Sequence, residues 1–241
     1  MNYHLSLMGA VNEARTRDPQ LGKLMLYQLS YYRVYFLRRK VSYFFSLSQL
    51  KNVILHQHQL TKLTKLDIMI NRKIEDAINA QINAEFWSAY LYLSMAMQFE
   101  ADGRSGIANW FRIQFKEEQA HAEIFINYLV QRGGRVVLKA IDAVPTEWAS
   151  PLAAFEATLA HEEKVTALIN NLYALAEAEH DYATRGKLDW FVSEQVEEEE
   201  TAKSMIDRLK LIGDDGLALY MLDQELAARV YNVPAPLQTQ A

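Results

Sequence analysis

Glu118 and His121 stand three residues apart in a stretch of helical periodicity, so both project from one face of one helix and can share a metal ion. Alone, such a pair is ordinarily a surface feature. Its setting changes the reading, because steps of three and four residues trace an apolar stripe along each of four helical segments, and every stripe carries one acid near its middle. The first stripe is Ile74, Ile78, Ile82, Glu85, Ala89, Tyr92; the second is Ile107, Phe111, Gln114, Glu118, His121, Phe125, Tyr128. The third is Leu152, Phe155, Leu159, Glu162, Thr166, Ile169, Tyr173; the fourth is Leu188, Phe191, Gln195, Glu198, Ala202, Met205, Leu209. An unpaired buried carboxylate is costly or is driven to its neutral form, so four of them in one core are poorly explained as packing. Two divalent cations would balance Glu85, Glu118, Glu162 and Glu198. With no cysteine in the chain, only histidine and carboxylates can hold them, and carboxylate with little imidazole favours iron or manganese over structural zinc. A di-iron site is the economical reading.

Other chemistry-bearing residues have plainer readings. Within the run Glu197 to Glu200, Glu199 and Glu200 are expected on a solvated face, and Glu163 lies off its stripe. No partner can be named from sequence for His161 or His180. Phe86, Trp87, Met95 and Met97 read as core or subunit contact.

The elements that must position the acids follow from punctuation. A first helix over about 71–101 stops at Asp102-Gly103, and a second over about 105–132 ends at Gly133-Gly134. The third opens at Ser150-Pro151, a cap residue followed by proline at the first helical position, and runs to about Glu179. The fourth runs from Asp181 to about Ile212 before Gly213, and a fifth over about 215–230 precedes Pro234 and Pro236. Short first–second and third–fourth links force antiparallel pairs. The link from Gly133 to Ala149 is long enough to run back along a bundle of about 40 Å. An all-α four-helix bundle with one long crossover and a short fifth C-terminal helix results.

Composition agrees for part of the chain. Of 241 residues, 50% are hydrophobic and 23% charged, a globular profile, but the net charge of -5 is unevenly spread. Up to Ile68 there are 10 Lys+Arg against 3 Asp+Glu; from Met69 onward there are 15 against 27. The first segment lacks sustained periodicity, and Arg33, Arg38, Arg39 and Lys40 interrupt its apolar runs, which excludes a secretory signal or membrane span. Residues Glu13 to Arg33 resemble a peptide that arises when a structural-RNA gene is translated, and Met69 offers a start. Residues 1–68 are thus either a misassigned start or a genuine basic extension, ahead of a domain at 69–241.

From about Ile70 to Glu225 the chain resembles prokaryotic non-haem ferritins, through NAEFWSAYLY, KEEQAHAEIFINYL, HEEKVT and VSEQVEEEE in family-like order and spacing. The resemblance implies a ferritin-like fold and iron storage, with Fe(II) oxidised by O2 or peroxide and ferric mineral kept inside a cytoplasmic shell of twenty-four subunits. Carried over by motif, it makes Glu85 and His121 terminal ligands of one iron, Glu118 the bridge, and Glu162 and Glu198 ligands of the second, with Gln195 beside it. Tyr92 matches the tyrosine next to the centre, and Glu117, Glu194 and Glu197 match an additional iron site. Bacterioferritins and rubrerythrin-like proteins would be expected to show a second Glu-x-x-His where this chain has Gln195-x-x-Glu198, and no haem is expected, although Met95 or Met97 could ligate one. Neither a nucleic acid nor a membrane is an expected partner. A di-iron oxidase or peroxidase without storage, or a metal-free helical scaffold, are the competing readings; the scaffold leaves the four stripe acids unexplained.

Overall fold

The computed structural model describes residues 70–238; the basic segment to Ile68 and the expected start at Met69 lie outside them. The described residues form helices α1 (Arg72–Ala101), α2 (Ser105–Gln131), α3 (Pro151–Ala178), α4 (Tyr182–Ile212), α5 (Gly216–Ala227) and a single turn, α6 (Ala235–Gln238), which the sequence did not signal. None is long and apolar enough to cross a membrane.

Local chemistry sets the ends. The side chains of Asn71, Ser150, Asp181 and Asp215 each accept a backbone N–H of the helix that follows, and Pro151 occupies the first turn of α3. The α4 helix stops at Gly213, whose φ of 55° suits a residue without Cβ. The α2 helix has no side-chain cap of its own. A tertiary one replaces it: the Ile107 N–H donates to Asp223 Oδ1 of α5 at 2.8 Å. This approach is so close that a Cβ on Gly106 would lie 1.6 Å from the Asp223 carbonyl oxygen.

The α1–α2 and α3–α4 pairs are antiparallel hairpins, and the chain between them runs back along α1. Polar side chains of α1 hold that crossover: Glu75 Oε1 accepts the Arg135 N–H (2.8 Å) and Asn79 accepts from the Val137 N–H (2.7 Å). Asn83 donates to the Ala140 carbonyl (3.2 Å), Ser94 to Pro145 (2.7 Å) and Gln98 to Trp148 (2.7 Å). Glu75 and Asn79 are thereby buried without being part of any metal-binding layer.

The core has two apolar clusters with a polar layer between them. One gathers Tyr92, Met95, Phe99, Phe111, Phe155 and Met205; the other gathers Ile74, Ile78, Ile82, Phe125, Ile169 and Phe191. In all four helices the stripe acid lies between the residues given to the two clusters. The expected stripes of α1 and α2 are buried throughout, and that of α4 is buried except at half-buried Glu198. The α3 stripe needs correction. Leu152, Leu159, Thr166 and Tyr173 are only half-buried, while Thr158, Val165, Leu172 and Ala176 face the core with Phe155, Glu162 and Ile169. An alanine-rich helix offers two neighbouring lines of apolar residues, and packing against α1 and α4 selects between them.

Candidate metal centre

Glu85 from α1 and Glu118 and His121 from α2 converge at the polar layer. They offer ligand atoms that all lie within 4.8 Å of one another, and all three side chains are buried. His121 Nδ1 lies 3.5 Å from Glu118 Oε2, and its Nε2 lies 3.9 Å from Glu194 Oε1. The edges of Trp190 and Phe191 close the layer around the imidazole, with ring centroids 5.6 and 5.9 Å away. Across the layer, Tyr92 donates its hydroxyl to Glu162 Oε1, and Gln195 donates to Glu162 Oε2 at 3.2 Å. Gln114, fully buried, donates to Glu198 Oε2 at 2.9 Å.

The two halves differ in how their polar atoms are satisfied. Glu85 accepts one bond, from Gln81 at 2.9 Å, but Glu85 Oε2, Glu118 Oε2 and His121 Nε2 are buried with no hydrogen-bond partner. Each such orphan costs about 1–3 kcal/mol, more where charged, and a fold seldom tolerates three at one point. A cation held by Glu85 and Glu118 would satisfy both orphaned carboxylate oxygens, and His121 Nδ1, 3.5 Å from Glu118 Oε2, is the imidazole nitrogen on that side. The carboxyls of Glu162 and Glu198 instead carry amide and phenol donors, and the orphan on that side is an amide oxygen, Gln114 Oε1.

Electrostatics describe the same deficit of positive charge. Burial, then the Glu118 carboxylate, pushes the Glu85 carboxyl up to about 8. Burial likewise raises Glu118 and Glu162, and carries Glu198 well above the carboxylate range, with Glu162 and Glu118 adding repulsion. Burial works against protonation of His121, but the Glu118 and Glu194 carboxylates close to its two nitrogens, with Glu85 beyond, hold its pKa well above the ordinary value.

The remaining candidates are placed differently. Glu117, next to Glu118 but off its face, is half-buried and receives both of its bonds from Arg229 Nη2, at 2.9 and 3.2 Å. Glu194 approaches His121, and Glu197 is exposed on the wall of a cavity with Glu200 and Arg229. Among the described residues, only Glu85, Glu118 and His121 bring three ligand atoms that close together. Glu163 and Glu200 are exposed as expected, and so is His180, whereas Glu199 is half-buried and accepts from Thr166 at 2.5 Å. His161 does have partners: Ser88 Oγ lies 2.8 Å from its Nε2, and the Trp87 and Tyr92 rings lie at 5.2 and 6.0 Å. Burial and Lys164 lower its pKa to about 4, so it is neutral at pH 7. Sequence reasoning gave no role to Gln81, although its place four residues before Glu85 was a usable signal.

A helical bundle with one long crossover and a carboxylate–imidazole layer at mid-height defines a ferritin-like class of protein. Comparison agrees: the model of the ferritin-like domain matches residues 75–212. A bacterial non-haem ferritin of Bacteroides fragilis is 45% identical over 161 residues, which are 67% of this chain and 100% of that protein. That of Staphylococcus saprophyticus is 42% identical over 164 residues, covering 68% and 98%. Among solved structures, an engineered closed form of Archaeoglobus fulgidus ferritin is 48% identical with a TM-score of 0.67, covering 68% of this chain and 99% of that one. The open-pore ferritin of the same archaeon is 49% identical with a TM-score of 0.66, covering 67% and 99%. The chain belongs to the ferritin family, on its prokaryotic non-haem branch.

Proposed function

We propose that the protein is an iron-storage subunit that oxidises Fe(II) in its buried polar layer and passes Fe(III) to a mineral enclosed by a shell of like subunits. The observation that carries the oxidation step is the buried group of Glu85, Glu118 and His121, whose ligand atoms lie within 4.8 Å of one another and include two orphaned carboxylate oxygens, in a layer closed above and below by apolar clusters. Iron is the substrate here. Glu85, Glu118 and His121 take one Fe(II), and Glu162 and Glu198 with a share of Glu118 take a second. Gln195 is uncharged and holds Glu162 in place. Each Fe(II) gives one electron and O2 accepts the pair; the protein contributes a dry enclosure, fixed acids and Tyr92 hydrogen-bonded to Glu162. The relatives named as non-haem ferritins, and the match along most of their length, support storage over a free-standing oxidase. Ferritin structures as neighbours support a shell, which we take to have twenty-four subunits.

The test joins stoichiometry to imaging. Anaerobic Fe(II) titration followed by rapid mixing with O2 should show two irons oxidised per subunit, and electron microscopy after loading should show hollow particles with dense cores. Two irons retained through repeated oxidation cycles, with no core formed, would favour a resident di-iron oxidase instead.

A further inference from the structure

The segment after α5 turns back over α2, and it is built in rather than loosely laid. Asn109 Nδ2 donates to the Leu226 carbonyl (3.0 Å) and the Arg229 carbonyl (3.0 Å), tying the end of α5 and the start of the segment to α2. The Lys116 ammonium lies 5.9 Å from the centre of the Tyr231 ring, and Leu237 packs against the apolar cluster below. This fixes where the Arg229 side chain begins. Its guanidinium lies 5.0 Å from the Trp110 ring, gives Nη1 to the Trp110 carbonyl (3.3 Å) and spends Nη2 on both Glu117 oxygens.

Glu117 is the acid immediately outside the buried layer. Beyond Arg229 opens a cavity of about 630 Å³ whose wall includes Glu197, Glu200 and Ser204, with Arg229 itself. The guanidinium thus stands between the buried acids and an open space with acids of its own. A guanidinium keeps its charge at every pH the fold survives, so a metal ion arriving at Glu117 meets a fixed positive charge and must displace it. The cavity gives that charge somewhere to go, since Glu197 and Glu200 on its wall offer acceptors, while the Arg208 guanidinium there is already spent on Glu225.

We propose that Arg229 is a tethered cation that holds Glu117, beside the buried layer, against metal ions, and that an ion binds at Glu117 only when the guanidinium swings away. It is a positioning residue acting through Glu117, and the proposal rests on reading the buried layer as a metal centre. The consequence is that Glu117 takes a third ion weakly while Arg229 is in place.

The test uses the full chain, Zn(II) calorimetry and Tb(III) luminescence excited through tryptophan; Trp110 lies beside the guanidinium and Trp190 beside His121, so the signal at Glu117 is read as the difference between variants and does not depend on turnover. Arg229→Gln should add a third ion per subunit, or tighten a weak one by at least about ten-fold, the order expected from removing one charge at a few ångströms in a half-buried site. Adding Glu117→Gln to that variant should abolish the gain, and Arg229→Lys, which keeps the charge, should stay within about two-fold of the unaltered protein. Equal third-ion binding in the unaltered protein and Arg229→Gln, or a gain that survives loss of Glu117, overturns the proposal. Two Glu118-dependent ions should bind in every one of these proteins. Their absence overturns the metal-centre reading and this proposal together, whereas their presence without any third-ion gain overturns this proposal alone.

Discussion

Asymmetry within the buried layer has an energetic consequence. On the Glu85, Glu118 and His121 side a cation meets two unsatisfied carboxylate oxygens and an imidazole nitrogen, while on the other side it meets both Glu162 oxygens and one Glu198 oxygen already bonded by Tyr92, Gln195 and Gln114. Displacing or stretching such bonds costs on the order of 1 kcal/mol each, so two Zn(II) ions bound to the metal-free protein should differ in affinity by about ten-fold or more, read as two resolved phases in calorimetry. A single phase with two equal sites would sink the argument. Glu118 is the acid expected to touch both ions. Glu118→Gln should therefore slow Fe(II) oxidation by more than about 100-fold, beyond the loss usual for outer-shell groups, while the metal-free protein melts at an equal or higher temperature because an unpaired buried acid is gone. Stopped-flow absorbance and thermal circular dichroism check the two halves; retained fast oxidation would place the centre elsewhere. Most of this layer was legible in the sequence because each acid interrupts an otherwise apolar stripe of period 3.6, which needs only local spacing. The Arg229–Glu117 pair joins residues 112 positions apart, and His161 with Ser88 joins residues 73 apart; no periodicity encodes such contacts.

Elements position those residues through a few close joints. Cap residues and glycines gave the ends of the four long helices to within a residue or two, since each satisfies free N–H or C=O groups by local chemistry that the sequence displays, whereas the fifth, expected to reach about 230, ends at Ala227. The docking of α5 was not legible. It depends on Gly106 meeting the Asp223 backbone, and a glycine inside a helix reads only as a weak position until its neighbour is known. Gly106→Ala puts a methyl into a carbonyl oxygen and should force α5 away from α2, uncapping Ile107; limited proteolysis near Gly213 should accelerate and the melting temperature fall by several degrees. Unchanged proteolysis would mean that α5 holds by other contacts. At the opposite end, Arg132 forks onto Asp181 at 3.0 and 3.1 Å, joining the end of α2 to the start of α4. Burial would raise the Asp181 pKa, but the bonds from Arg132 and Thr184 outweigh it and hold the carboxyl below its ordinary value. A lowered folded pKa contributes stability above the ordinary Asp pKa and loses it as pH falls through the folded value. Asp181→Asn keeps a good helix cap while removing the charge, so it should cost about 1–2 kcal/mol at pH 7, a deficit that shrinks only below about pH 4. A pH-independent deficit in thermal unfolding would show that the cap, and not the ion pair, carries the effect.

At the scale of the whole molecule, the described domain leaves large apolar side chains in the open, among them Leu211 at 90% and Leu217 at 69% exposure, with Tyr220 and Met221 beside them on α5 and Tyr90 and Met97 on α1. Surfaces of this kind ordinarily mark contacts with other chains, which agrees with the proposed shell. The four side-chain caps, both apolar clusters, the crossover ties and all the candidate ligands fall between Ile70 and Gln238, and the Ile70 N–H already bonds the Arg132 carbonyl at 3.2 Å. The basic segment before it carries charge of the opposite sign to the rest of the chain and no periodic apolar face. We therefore expect Met69–Ala241, produced alone, to assemble into particles of the size formed by the full chain, to melt within a few degrees of it and to oxidise Fe(II) at the same rate. Light scattering, calorimetry and stopped-flow absorbance on the two proteins side by side provide the comparison. A shortened chain that stays monomeric, or assembles but oxidises slowly, would make residues 1–68 a working part of the protein and would direct attention to what their positive charge pairs with.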